Sequence, residues 1–127
     1  MFEEFARWIS PIGMSPRRIA KPYAVNGVEL APEDRVFLMF GAANRDEAHF
    51  ADADRFDATR DTGKSIAFGA GPHFCAGAAA SRAMIADVAL PAVFARLKGL
   101  RLDESEPVRI TGWAFRGLQN LPVEWDV

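Results

Sequence analysis

The chain has 127 residues, 50% hydrophobic and 25% charged, which is the balance of one folded domain and too little length for two. Its net charge of −2 gives no basic field to hold nucleic acid or an anionic membrane. The single cysteine excludes an internal disulfide framework and a multi-cysteine zinc site, leaving buried filler, a reactive thiol or a metal ligand.

Phe2, Phe5 and Ile9 recur at helical spacing, with Glu3, Glu4 and Arg7 on the other faces, so a short helix opens the chain. Ser10-Pro11 stops it. That helix has no cap and no preceding turn, and the expectation is that something is missing upstream. The acidic start is unlike a signal peptide, and the longest apolar run, Val36 to Ala43, is far below the ~20 residues a membrane span needs.

A hairpin follows. Tyr23-Ala24-Val25 and Val28-Glu29-Leu30 flank Asn26-Gly27, the pair a type I′ turn requires, with Tyr23, Val25, Val28 and Leu30 on one face. A third, more buried strand is expected from Arg35 to Met39. Periodicity then fades, and residues 41–64 read as an ordered, turn-rich meander of about 24 residues, long enough to imply a function. Its aspartates lack the glycine and closing glutamate of a calcium loop. Gly77 to Leu97 is an amphipathic, alanine-rich long helix that Pro91 should kink. Short strands are expected around 100–102, 108–111 and 121–125.

The chemistry is concentrated in Phe68-Gly69-Ala70-Gly71-Pro72-His73-Phe74-Cys75-Ala76-Gly77. Three glycines and a proline shape a loop that sets Cys75 at the start of the long helix, where free N–H groups and the helix dipole favour thiolate. A sulfur so placed suits axial ligation of haem iron. The residues by themselves equally admit an inert structural cysteine, and more weakly a Cys–His nucleophile or a zinc site with His49 and His73.

The stretch resembles the haem-binding loop of the cytochrome P450 family, Phe-Gly-x-Gly-x-His-x-Cys-x-Gly, at every specified position. Glu4-Phe5-Ala6-Arg7 is similar to the family's Glu-x-x-Arg helix, and Ala43-Asn44-Arg45-Asp46 with Asp54-Arg55-Phe56-Asp57 to its meander. Gly77-Ala78 through Ser81-Arg82 resembles the helix after the cysteine. Arg116-Gly117 and Leu121-Pro122-Val123 resemble the C-terminal strands of soluble bacterial members. The implied fold is the C-terminal, α+β part of a mainly α architecture, a single unit over 1–127 made of first helix, small sheet, meander, cysteine loop, long helix and C-terminal strands.

By the same resemblance Cys75 is the thiolate ligand of haem b (iron protoporphyrin IX), and Phe68, Gly69, Gly71, His73 and Gly77 shape its site. Arg17 or Arg18 joins His73 at a propionate. Glu4, Arg7 and Arg55 form a buried charge triad locking the meander to the first helix. Ile12, Gly13, Met14, Trp113, Ala114 and Phe115 border the pocket for a small organic substrate. The implied activity is a cytoplasmic monooxygenase, inserting one atom of O₂ with electrons from a ferredoxin or similar donor, for which Arg82 is a candidate docking charge. The family's Ala/Gly-Gly-x-Asp/Glu-Thr oxygen-activating segment does not occur here, so the expectation is a truncated enzyme, with a non-catalytic haem-binding module or gene remnant as the alternative. Its apolar faces are expected to favour self-association.

Overall fold

The computed structural model describes all 127 residues. Helix α1 spans Phe2–Ile9, and Ser10 ends it in the left-handed region at φ 45°, its N–H still reaching the Ala6 carbonyl. The faces differ from the sequence expectation. Glu4 and Arg7 are buried and Phe5 is 48% exposed, because the meander packed on this helix offers carbonyl and N–H partners that apolar side chains cannot use.

Strand β1 (Ser15–Arg18) pairs antiparallel with β4 (Arg35–Leu38), setting Arg17 opposite Val36 and Arg18 opposite Arg35. Between them lies the expected hairpin of β2 (Tyr23–Val25) and β3 (Val28–Leu30), with Tyr23 opposite Leu30 and Val25 opposite Val28. Asn26 at φ 49° and Gly27 at φ 77° take the two left-handed conformations of its turn. β4 corrects the expected third strand: it ends at Leu38 and is largely exposed, and its partner is β1. Its apolar residues read as core, but Phe37 and Leu38, on opposite faces of the strand, are both exposed.

A short helix, α2 (Phe40–Ala43), starts the meander, and turns carry the chain to the cysteine loop, where Gly71–His73 forms one 3₁₀ turn. The long helix, α3, runs over Ala78–Arg96 without a break. Its turns widen to π geometry over Ala83–Ala89, directly before Pro91. The wider turns accommodate the missing donor and the ring, so Pro91 does not divide the helix. This helix is long and apolar enough, by length and composition, to cross a membrane, although Arg82 and Asp87 lie within it. Gly99 at φ 62° then turns the chain into the tail.

The tail forms two further antiparallel pairs, β5 (Arg101–Leu102) with β8 (Val123–Glu124) and β6 (Arg109–Thr111) with β7 (Gly117–Asn120). Strand β7 was marked only by the Arg116-Gly117 resemblance, since Gly117-Leu118-Gln119-Asn120 has little β-propensity. The turn after β6 closes on the segment following α1. Ile12 bridges Phe115, Gly13 donates to the Ala114 carbonyl at 2.8 Å, and Arg116 donates to the Pro11 carbonyl at 2.7 Å. Glycine is required at position 13, because a Cβ there would lie 2.7 Å from the Trp113 carbonyl oxygen.

Candidate functional site

The cysteine loop is a folded turn anchored on Phe68. Cys75 donates its N–H to the Phe68 carbonyl at 2.8 Å, while Gly69 (φ 73°) and Gly71 (φ 62°) supply left-handed corners that side chains resist. Cys75 is exposed, and its sulfur lies 3.8 Å from where a Cβ on Gly77 would stand, over the backbone that opens the long helix. The N–H groups of Ala76 and Gly77 have no acceptor elsewhere in the chain. An anionic sulfur here faces the donor-rich end of a long helix.

Cys75 opens onto a cavity of about 670 Å³. Phe2, Phe5 and Ala6 of α1 form one wall, Ser81 and Ile85 of the long helix another, and Phe68, Gly69 and His73 the floor beside the sulfur. Pro11, Ile12, Ser15, Arg17, Phe40 and Ala67 complete it. Strand alternation separates the two candidate arginines. Arg17 lines the cavity and donates to the Ser15 hydroxyl at 2.7 Å, whereas Arg18 turns to solvent and pairs with Glu33 at 3.0 Å.

The expected substrate-border residues are only partly together. Ile12 lines the cavity of Cys75, and Phe115 bridges to it while remaining 75% exposed. Gly13 and Trp113 line a second, smaller cavity with Arg116, and Met14 is buried. Ala114 contributes its carbonyl to Gly13.

The lock between α1 and the meander is a polar core. Arg7 Nε donates to Glu4 Oε2 at 2.6 Å and Nη2 to Oε1 at 2.8 Å. Its remaining N–H groups go to the carbonyls of Asn44, Ala53 and Arg55 at 2.6, 3.0 and 3.4 Å. Glu4 also accepts from the Asp57 N–H at 2.9 Å and from Arg60 Nε at 3.2 Å. These partners hold the Glu4 carboxyl at a pKa of about 2, the Arg7 hydrogen bond contributing most and outweighing burial. The cationic side chain that reaches Glu4 from the meander is therefore Arg60, where Arg55 was expected; Arg55 supplies its carbonyl, to both Arg7 and Arg60. Sequence reasoning also missed Asn44, which donates to Ser10 Oγ at 3.0 Å and accepts from the Ile66 N–H at 2.9 Å. No buried side-chain nitrogen or oxygen lacks a partner. The available signal was physical: a long aperiodic loop has many carbonyls to satisfy, and arginine has five donors.

The donor set fits a haem. One exposed sulfur on the cavity wall can bind iron, four phenylalanines offer apolar surface, and Arg17 and His73 offer donors for carboxylates. The comparisons agree. The family profile described as cytochrome P450 matches residues 1–120. The chain is 38% identical to the mycinamicin IV hydroxylase/epoxidase of Micromonospora griseorubida, covering 97% of this chain and 32% of that protein. It is also 38% identical to the 6-deoxyerythronolide B hydroxylase of Saccharopolyspora erythraea, with 98% and 31% covered. Among solved structures it superposes on the testosterone complex of CYP109E1 from Bacillus megaterium with a TM-score of 0.91 at 28% identity, covering 98% of this chain and 35% of that one. The chain thus spans about a third of the length of the curated relatives it matches. With the profile matched over nearly its whole length, the chain belongs to the cytochrome P450 family, whose members hold haem through a cysteine thiolate.

Proposed function

We propose that this chain is the proximal half of a cytoplasmic haem-thiolate monooxygenase, with Cys75 as the iron ligand of haem b. The carrying observation is that Cys75, Phe68, His73 and Arg17 meet in one cavity of about 670 Å³. Haem, when held here, would supply a redox-active iron for monooxygenation of a small organic substrate, a reaction that also consumes two electrons and two protons and forms water. Cys75 would supply the sulfur ligand to iron, and the open first turn of the long helix favours the negative charge on that sulfur. Arg17 and His73 hold the propionates at the rim, Arg18 being turned away. The Glu4–Arg7–Arg60 core keeps α1 and the meander docked under the site.

Oxygen transfer also needs a distal wall that relays protons and excludes water, and a ferredoxin-type electron donor. We assign that wall to a further part of the fold, seated on α1 and the long helix. The 127 residues furnish the binding half of the reaction.

The test is spectroscopic. Haem is added to the purified chain, which is reduced and exposed to carbon monoxide. The red-shifted band of thiolate-ligated haem is expected, and Cys75→Ala abolishes it. Arg17→Ala weakens haem retention, while Arg18→Ala leaves it unchanged. A free-haem spectrum from the wild-type chain removes this reading in favour of an assembly-dependent site.

A further inference from the structure

Arg82, on the long helix, is engaged on two sides. Its Nε and Nη2 donate to the two carboxylate oxygens of Glu3, with Nη2 3.1 Å from Oε2. Its guanidinium carbon stands 4.7 Å from the centroid of the Phe68 ring, a cation–π contact. Phe68 is in turn the residue whose carbonyl accepts the Cys75 N–H at 2.8 Å, and its ring meets Phe2 of α1 at 6.4 Å between centroids. One phenylalanine therefore joins the sulfur-bearing loop to α1 and to the long helix. Glu3 and Arg82 are 79 positions apart in sequence, so the pair clips those helices together directly beside it.

The Arg82 pKa is raised, chiefly by the hydrogen bond to Glu3, which outweighs the effect of burial. The guanidinium stands on the ring of the same residue whose carbonyl holds the Cys75 N–H, which ties its charge to the sulfur-bearing loop. Here the Nε–Nη2 edge is taken by a carboxylate and one face of the guanidinium by an aromatic ring.

We propose that Glu3 and Arg82 form a brace that positions the Phe68 ring beside Cys75 and sets the electrostatic environment of its thiolate. Both are positioning residues, acting through Phe68. The effect on a bound thiolate rests on the function proposed above, while the brace itself does not.

The experiment compares the full chain with Glu3→Gln, Arg82→Met and Arg82→Lys in two arms. Without haem, NMR of the wild type is expected to show Overhauser contacts between the Arg82 side chain and the Phe68 ring, with ring-current upfield shifts of the Arg82 methylenes. Glu3→Gln loses both. Their survival unchanged in Glu3→Gln overturns the brace. With haem, Arg82→Met is expected to shift the reduction potential to more negative values and move the reduced carbon monoxide band. Arg82→Lys recovers most of the potential but not the ring contacts. A wild-type potential and band in Arg82→Met, with only ferredoxin-driven reduction slowed, overturns the brace in favour of a docking charge. If the wild type shows no thiolate band, the proposed haem function fails and the NMR arm alone decides the brace.

Discussion

The block made by α1 and residues 41–64 and the long helix Ala78–Arg96 are built on opposite plans. In the block the largest fully buried side chains are Arg7, Glu4, Asn44 and Ser10, all polar. On the long helix only Ala78 is buried, and Met84, Val88 and Phe94 stand 67%, 64% and 57% exposed. Hydropathy would have ranked the two regions the other way. The block satisfies its buried polar groups with partners from its own residues, the carbonyls of the meander enclosing Arg7, while the long helix finds few partners within these 127 residues. The cavity of Cys75 lies where the plans meet, between Phe2 and Phe5 of the block and Ser81 and Ile85 of the helix. One wall is held rigidly by the chain's own contacts, and the other offers apolar surface.

The largest effect should come from cutting the block at its centre. Arg7→Ala leaves Glu4 buried beside unpaired carbonyls, a loss of about 3–5 kcal/mol. That is a large share of the stability of a small domain. Val88→Ala, at an exposed apolar site, should stay within about 0.5 kcal/mol. Chemical denaturation measures both, and similar small losses would break the contrast.

Acid tests the same core by titration. Glu4 titrates at about 2 in the folded chain against an ordinary 4.5. A folded pKa below the unfolded one means the stabilisation is complete above pH 4.5 and is lost as pH falls toward 2. The contribution is about 3 kcal/mol. Glu4→Gln should flatten the stability profile between pH 4.5 and 2, and an unchanged slope would show that other carboxylates carry it.

Local signals were legible in the sequence and distributed ones were not. The Asn26-Gly27 turn and the loop around Cys75 depend on conformations that neighbouring residues dictate, and both form as read. The interior of Arg7 depends on carbonyls 37, 46 and 48 positions away, which no helical periodicity can report. β1 was hidden by Pro16 and by two consecutive arginines, although its alternation is what sends Arg17 inward and Arg18 outward. The meander was legible as ordered and important, but not which arginine it contributes. Position in a loop without a period does not tell a side chain's direction.

Arg60 and Arg55 sharpen that last point. Arg60→Ala removes a donor to Glu4 and to the carbonyls of Ala51, Asp52 and Arg55, and should cost about 1–3 kcal/mol. Arg55→Ala keeps the carbonyl that Arg7 and Arg60 use and should lie within about 0.5 kcal/mol. Thermal unfolding of the two variants separates them, and the reverse order would restore Arg55 to the lock.

The smallest expected change in stability falls on the long helix and carries the most information about association. Met84→Glu and Val88→Glu put charge on a surface that makes few contacts within the chain, so unfolding should move by less than about 0.5 kcal/mol. Contiguous exposed apolar surface of this kind drives association, and a charge on it opposes that. Sedimentation velocity over a concentration series should therefore show the wild type associating and the double variant shifted to monomer. If the variant unfolds instead, the face is packed within the chain, and the contrast between a self-contained block and an open helix fails at the helix. If it stays folded and monomeric, the same substitutions become the means to ask whether a distal wall seats on this surface, because they would block that docking while leaving the Cys75 loop intact.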